Sequence, residues 1–214
     1  MTRMSSFGRS AKRSFDIAGA AAGLLGLLPI LIACAVAVRL SSPGPILFRQ
    51  QRVGLHGNIF DILKFRTMRP ARTGQELQIT IGRDPRITAI GAFLRKWKLD
   101  ELPQLWNVVA GDMSIVGPRP EVPKYVAIYP TAIRDIVLSV RPGITDPCSI
   151  YLRHESEILA RADDPERFYI ETLLPEKLRL ASAYARNQTM MNDISIIVRT
   201  ILAIFVKDTG QAKM

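Results

Sequence analysis

The run Ile17-Ala-Gly-Ala-Ala-Ala-Gly-Leu-Leu-Gly-Leu-Leu-Pro-Ile-Leu-Ile-Ala-Cys-Ala-Val-Ala-Val38 holds no charged residue over 22 positions. At about 1.5 Å per residue, a helix of that length reaches roughly 33 Å, enough to match the hydrocarbon core of a bilayer. Pro29 lies near its middle and removes a helical hydrogen bond, so a kink is expected there. Arg9, Lys12 and Arg13 precede the run, and Arg39, Arg49 and Arg52 follow it. Cations at both ends give no orientation by the positive-inside rule. A bent helix that enters and leaves on one face puts both ends at anionic headgroups. Spanning and re-entrant readings stand level on these grounds. A cleaved signal ending at Ala35-Val-Ala37 and a lipoprotein signal at Leu31-Ile-Ala-Cys34 are weaker readings. Signal cores usually run roughly 7–15 residues, and neither signal accounts for the cations that follow. Asp16, at the mouth of the apolar run, calls for a partner. Arg13 or a basic residue beyond Val38 is the expected one. Pro43-Gly-Pro45 marks a boundary, dividing the chain into 1–42, a basic N-terminus with the membrane segment, and 43–214, the remaining domain.

The 214 residues carry a net charge of +10. That balance points to anionic partners, among them phosphates and anionic phospholipid. Aromatic residues make up only 7%, too few for base stacking along a single strand. No zinc-finger spacing or basic recognition helix is present, so nucleic acid is not expected as a partner. The two cysteines, Cys34 in the apolar run and Cys148 in an expected loop, form neither a disulfide framework nor a CxxC site. His56 and His154 are isolated and read as surface loop residues, which disfavours His-based zinc or triad chemistry.

Beyond the boundary, Ile46–Phe48 and Ile59–Phe65 read as short strands around a turn at Gly54–Asn58. Residues 69–80 read as a polar loop. Ile87, Ile90, Phe93, Leu94 and Trp97 recur at helical spacing, giving an amphipathic helix over 87–97 whose Arg95, Lys96 and Lys98 suit lipid headgroups or a solvated helix end. Further helices are expected over 100–109, stopped by Gly111, and over 123–139. Asp163 or Asp164 caps another helix, with Pro165 in its first turn; Pro175 interrupts it, and 176–188 resumes it. The last helix starts at Asn192-Asp193 and either packs in the core or lies in a membrane interface.

The candidate chemistry lies in Leu99-Asp-Glu-Leu-Pro-Gln-Leu-Trp-Asn-Val108 and Gly111-Asp-Met-Ser-Ile-Val-Gly-Pro-Arg-Pro120. Asp100 suits an N-cap, and Glu101 suits the positive end of a helix. The same helix start offers free N–H groups to a phosphate. A carboxylate there can attack phosphorus to give an acyl phosphate, and its neighbour can bind Mg²⁺. Arg119, held in Pro-Arg-Pro, reads as a pre-set guanidinium for phosphate oxygens. Arg141, beside Pro142-Gly143, repeats the device. Lys64 and Arg66 alternate along a strand end and share one face, which matches a diphosphate. Arg86 reads as pairing structurally within its turn, and Asp112 as a turn residue.

Taken in order, these motifs resemble the bacterial sugar transferase family, the monotopic phosphoglycosyl transferases in their short form. The resemblance runs from Lys12-Arg13-Ser-Phe15-Asp16 through Pro43-Gly-Pro-Ile-Leu-Phe48, Lys64-Phe-Arg-Thr-Met68 and Asp84-Pro-Arg-Ile-Thr88. It continues through Leu99-Asp-Glu-Leu-Pro-Gln104, Gly111-Asp-Met-Ser114 and Val116-Gly-Pro-Arg-Pro-Glu121 to about Thr145. It implies a mostly helical α+β fold with a small β-hairpin, amphipathic interfacial helices and a re-entrant helix bent near Pro29. The active site would lie on the cytoplasmic face of the bacterial inner membrane.

The implied reaction moves a sugar-1-phosphate from a UDP-sugar to polyprenyl (undecaprenyl) phosphate, releasing UMP, as the first membrane step of a glycan pathway. It implies Asp100 as nucleophile through a covalent aspartyl-phosphosugar, Glu101 as its metal-binding or acid/base partner, Mg²⁺ held by Glu101 and Asp100, and Arg119 and Arg141 on phosphate or uridine. A homo-oligomer is compatible with the sequence. Many members continue Pro-Gly-Ile-Thr with Gly where this chain has Asp146. Some carry a multi-helix N-terminal extension, and this chain is expected to be the compact form. The rival readings are a membrane-tethered module that binds anionic ligands without catalysis, and a conventional glycosyl transferase that would release UDP.

Overall fold

The computed structural model describes residues 6–69, 84–148 and 155–205. The fold is α+β and mostly helical. The apolar run breaks where its proline demands. Helix α1 (Ser6–Gly26) and helix α2 (Leu28–Ser41) meet at Leu27 with a bend of 64°. Pro29 stands in the first turn of α2, where its missing N–H is least costly. No single described helix is long and apolar enough to cross a membrane. Around the bend Leu25, Leu28, Ile30, Ile32 and Val36 are all exposed.

Two basic residues of α1 anchor it to the rest of the protein. Arg13 donates to the Val108, Val109 and Met113 carbonyls at 2.8, 3.4 and 3.2 Å. Val108 and Val109 lie in the last turn of helix α4 (Gln104–Ala110), and Met113 lies just beyond it. Lys12 is buried and donates to Asp193 Oδ2 at 2.6 Å and to the Val116 carbonyl at 3.3 Å. Asp16 therefore pairs with Lys12 (3.5 Å) and accepts from Ser114 Oγ (2.7 Å), rather than with Arg13 or a base beyond Val38. The i,i+4 spacing of Lys12 and Asp16 brings them together on one helix face.

Strand β1 (Leu47–Val53) pairs antiparallel with β2 (Ile59–Phe65), from Leu47 opposite Phe65 to Val53 opposite Ile59. The first strand thus runs five residues past the expected 46–48 segment. Buried Asn107 covers the far edge of β2: its Oδ1 accepts from Leu63 N at 3.0 Å, and its Nδ2 donates to the Asp61 carbonyl at 2.9 Å. A second sheet, absent from the sequence reading, pairs β3 (Ser114–Val116) in parallel with β4 (Gly143–Thr145). A Cβ on Gly143 would lie 2.1 Å from the Gly117 nitrogen, so only glycine allows the two backbones to come this close.

Helix α3 (Ala89–Lys96) is capped by Thr88, which accepts from Gly91 N. The single helix expected over 123–139 is two, α5 (Pro123–Val126) and α6 (Thr131–Val137). Pro130 cannot continue the first and begins the second. Glu155–Leu159 forms α7 and Pro165–Phe168 forms α8, capped by Asp164. Pro175 does not interrupt the chain here. A π-type turn at Tyr169–Leu173 carries it into α9 (Leu174–Arg186). Helix α10 (Met190–Phe205) starts ahead of the expected Asn192. It buries Asp193 and Ile196, while Met191, Ile194, Val198, Ile201 and Leu202 are exposed. Cys148 is buried rather than in an open loop. The expected loop 69–80 beyond Arg69, and His154, lie outside the described residues.

The close β3–β4 approach makes Gly143 the most sensitive small residue of this half. Gly143→Ala is expected to destabilise the protein by about 3 kcal/mol, measured by thermal unfolding.

Candidate active site

Asp100 and Glu101 do not sit on α4 itself. They occupy a 3₁₀ turn, Leu99–Glu101, that precedes it, and Pro103 rather than Asp100 is the residue flanking the helix. Both carboxylates are buried. Their surroundings differ in kind.

Glu101 Oε1 accepts from Lys64 Nζ at 2.7 Å and from Arg119 Nη2 at 2.6 Å. Burial pushes its carboxyl up, but the Arg119 and Lys64 charges outweigh burial and hold it well below the usual range. Asp100 has no ion-pair or hydrogen-bond partner for its carboxylate among the described residues, and its Oδ1 is fully buried. Burial and the neighbouring Glu101 charge push it above the usual aspartate value, against the opposing pull of Lys64, Lys98 and Arg95. One acid is neutralised and locked, and the other is buried and without a partner.

Each cation is placed by structure remote in sequence. Lys64 comes from β2, whose register with β1 fixes where its side chain emerges. Arg119 comes from the turn after β3, and every neighbour of that turn is tied down. Gly117 N donates to the Thr145 carbonyl at 3.1 Å, and Gly143 N to the Pro118 carbonyl at 2.9 Å. Arg119 N donates to Asp146 Oδ2 at 3.3 Å, and Arg52 Nη1 to the Pro120 carbonyl at 2.9 Å. The next residue, Glu121, accepts from Tyr169 and from Lys177 Nζ (3.1 Å) and sits 3.6 Å from Arg52. The Glu101 charge raises Arg119 above its ordinary value. Its side chain stays one-third exposed, so further guanidinium N–H groups remain for a ligand.

Two residues expected at this site have other partners. Arg66 donates to the Ser42 and Pro43 carbonyls at 2.7 and 2.8 Å, clamping the end of α2 to the end of β2. Its guanidinium turns to the Pro43-Gly44-Pro45 corner, whereas Lys64 reaches Glu101. Arg141 Nε donates to the Gly111 carbonyl at 2.9 Å, at the opposite end of α4 from the acidic pair. A seven-residue helix spans roughly 10 Å, so Arg141 serves the helix end rather than Asp100. Asp112 Oδ2 accepts from Asn107 Nδ2 at 3.2 Å, and Arg86 pairs with Asp84 at 2.7 Å, each within its own turn.

Asn107, Asp146 and Glu121 are positioning residues that sequence reasoning did not assign. Asp146 was visible only as a departure from a motif, and the parallel pairing that brings it to Arg119 has no short-range signal. The sequence profile of the bacterial sugar transferase family matches residues 7–207. The chain belongs to the bacterial sugar transferase family.

Within that family it is 38% identical over 208 residues to the UDP-glucose:undecaprenyl-phosphate glucose-1-phosphate transferase of Escherichia coli, covering 96% of this chain and 42% of that protein. It is 35% identical to the undecaprenyl-phosphate galactose phosphotransferase of Salmonella typhimurium, covering 94% of this chain and 41% of that protein. To the exopolysaccharide production protein ExoY of Sinorhizobium fredii it is 34% identical, covering 92% and 86%. The chain thus spans about two fifths of the length of the first two of these relatives.

The two adjacent acids should respond oppositely to loss of charge. Asp100→Asn is expected to raise stability by roughly 1 kcal/mol, because it removes a buried charge with no ion-pair partner among the described residues. Glu101→Gln is expected to lower it by roughly 3 kcal/mol, because Lys64 and Arg119 then face each other unneutralised. The pH dependence carries the same signs. The contribution of Glu101, fully present above its unfolded pKa of about 4.3, is lost as pH falls through its depressed folded pKa. The penalty at Asp100 is relieved as pH falls through its raised one. Thermal melts of the wild type and both variants from about pH 2 to 8 check this.

Proposed function

We propose that the protein transfers a sugar-1-phosphate from a UDP-sugar to polyprenyl (undecaprenyl) phosphate, with Asp100 as the covalent nucleophile, as the first membrane step of a bacterial glycan pathway. The observation that carries this reading is Asp100 itself, a buried carboxylate with no hydrogen-bond or ion-pair partner among the described residues, beside a Glu101 that takes Lys64 and Arg119. A module that only bound anions would gain nothing from an uncompensated negative charge at the centre of its site. A nucleophile needs that charge free of hydrogen bonds that would damp it.

In the proposed reaction an Asp100 carboxylate oxygen attacks the phosphorus that bears the sugar. The bond from that phosphorus to the UMP oxygen breaks, and UMP leaves with the electron pair. An oxygen of the lipid phosphate then attacks the same phosphorus. The acyl–phosphorus bond breaks, and the Asp100 carboxylate is regenerated with the product, a sugar diphosphate lipid. Two anionic substrates never meet directly, since UMP can leave before the lipid phosphate enters. Lys64 and Arg119 hold Glu101 ionised and supply positive potential where the phosphoryl oxygens gather charge.

Mg²⁺ suits this donor set. The buried, unpartnered Asp100 Oδ1 beside Glu101 gives two adjacent carboxylates, and Mg²⁺ typically takes one or two, with substrate phosphates and waters completing its shell. Held by Asp100 and Glu101, it would neutralise charge on the diphosphate. The 64° bend, the exposed apolar residues around it and the cations at both ends of the run support a re-entrant helix at the cytoplasmic face of the inner membrane. On that reading the site stands at the height of the lipid phosphate. Relatives of similar identity carry glucose in one name and galactose in another, so the proposal is held at the level of a hexose-1-phosphate.

The test is intact mass after exposure to Mg²⁺ with UDP-glucose or UDP-galactose and no lipid acceptor. A gain of one hexose phosphate with release of UMP, absent in Asp100→Asn, is expected. Lipid product without any adduct would overturn the covalent route, and release of UDP would overturn the reaction.

A further inference from the structure

Lys98 sits one residue past the C-cap of α3, with φ 56° and ψ 18°. At that position helices usually place glycine or asparagine, because a long side chain in the left-handed region is strained. Lys98 and His56 are the two non-glycine residues with positive φ among the described residues. Such strain persists where surrounding structure enforces it, and it concentrates at ligand sites. Here the Lys98 carbonyl accepts from Glu101 N at 3.3 Å, so the strained residue is the pivot that folds the chain from α3 into the acidic turn.

The side chain is exposed, and among the described residues its ammonium has no ion-pair or hydrogen-bond partner. The other cations acting on Asp100 are engaged: Lys64 bonds Glu101, and Arg95 bonds Thr67 Oγ1 at 2.8 Å. The Lys98 charge reaches both carboxylates and pulls both downward. Immediately before it, Phe93 and Trp97 lie four residues apart on one face of α3 and are 53% and 37% exposed. Exposed aromatic rings followed by a cation suit the level where hydrocarbon gives way to headgroups.

We propose that Lys98 binds the phosphate monoester of the lipid acceptor and delivers it to the Asp100 side of the turn. This rests on the transferase reading above. A membrane-borne phosphate reaches the site from the aromatic face of α3, and Lys98 is the uncommitted cation between that face and Asp100. Its stabilisation of the α3 C-terminus through the helix dipole does not account for the strained placement, since Lys96 already supplies a cation in the last turn.

The experiment compares the wild type with Lys98→Asn and Lys98→Arg in nanodiscs containing undecaprenyl phosphate, with UDP-glucose or UDP-galactose as donor. Asparagine tolerates the left-handed conformation, so the fold is kept and the melting temperature is expected not to fall. The KM for undecaprenyl phosphate is expected to rise about tenfold in Lys98→Asn, with recovery in Lys98→Arg. The donor KM in the acceptor-free mass assay is expected to stay within twofold. An unchanged acceptor KM would overturn the assignment. So would a rise in donor KM alone, which would place the ammonium on the nucleotide diphosphate. A lowered melting temperature with both KM values unchanged would make Lys98 a structural residue only. If the wild type itself forms no lipid product, the transferase reading falls and takes this one with it. If the wild type turns over and Lys98→Asn matches it, only the Lys98 assignment falls.

Discussion

One oxygen atom, Oε1 of Glu101, accepts hydrogen bonds from two cations that arrive on different sheets. Lys64 comes from the antiparallel hairpin and Arg119 from the turn after the parallel pair. Burying Glu101 and partly burying Lys64 and Arg119 is costly unless the charges meet with good geometry. The arrangement therefore holds only if both sheets are in register and the 3₁₀ turn is closed between them. The tertiary structure can be read as the set of supports that brings those three groups to one point. Asn107 fastens α4 to β2, the Gly117–Gly143 approach closes the second sheet, and Arg52 with Glu121 ties the Pro-Arg-Pro turn to β1 and the C-terminal helices.

The same locking leaves Asp100 free. Because Glu101 takes both cations, the neighbouring carboxylate is desolvated and its Oδ1 has no hydrogen bond among the described residues, a state that costs stability. The two acids are adjacent in sequence and alike in chemistry, and their different environments push their pKa values in opposite directions. The apolar hairpin α1–α2 is attached to this site by a second buried charge group. Lys12 reaches Asp193, Asp16 and the Val116 carbonyl, and Tyr184 donates to the other oxygen of Asp193 at 2.7 Å. The N-terminal helix, strand β3 and the C-terminal helix thus share one ionic joint directly behind the turn that carries Arg119.

The motifs in the sequence placed the acidic pair and Arg119 together without any coordinates. Arg66 and Arg141, which the motifs also offered, have other partners in the structure, and the reason is the same in both cases. A basic residue beside a proline turn can serve a ligand or a bare carbonyl, and spacing does not distinguish the two. Arg66 ends on the carbonyls of Ser42 and Pro43, and Arg141 on that of Gly111. Asp16 found Lys12 one helical turn away instead of the expected Arg13, because Arg13 is taken up by the end of α4.

By itself, the sequence determined the properties that depend on near neighbours along the chain. These are the charge-free run and its break at a proline, the hairpin, the amphipathic α3, the helix cap within Asp163-Asp164, and the family to which the ordered motifs belong. Each follows from periodicity or from one residue's backbone preference. Tertiary structure alone decided which acid would be neutralised and which left bare, which arginines would face the site, and that β3 and β4 would lie side by side. Those outcomes turn on contacts between residues 18 to 181 positions apart, such as Arg119 with Glu101 and Lys12 with Asp193. Burial and electrostatics at such distances are properties of the packed whole, and no local pattern encodes them.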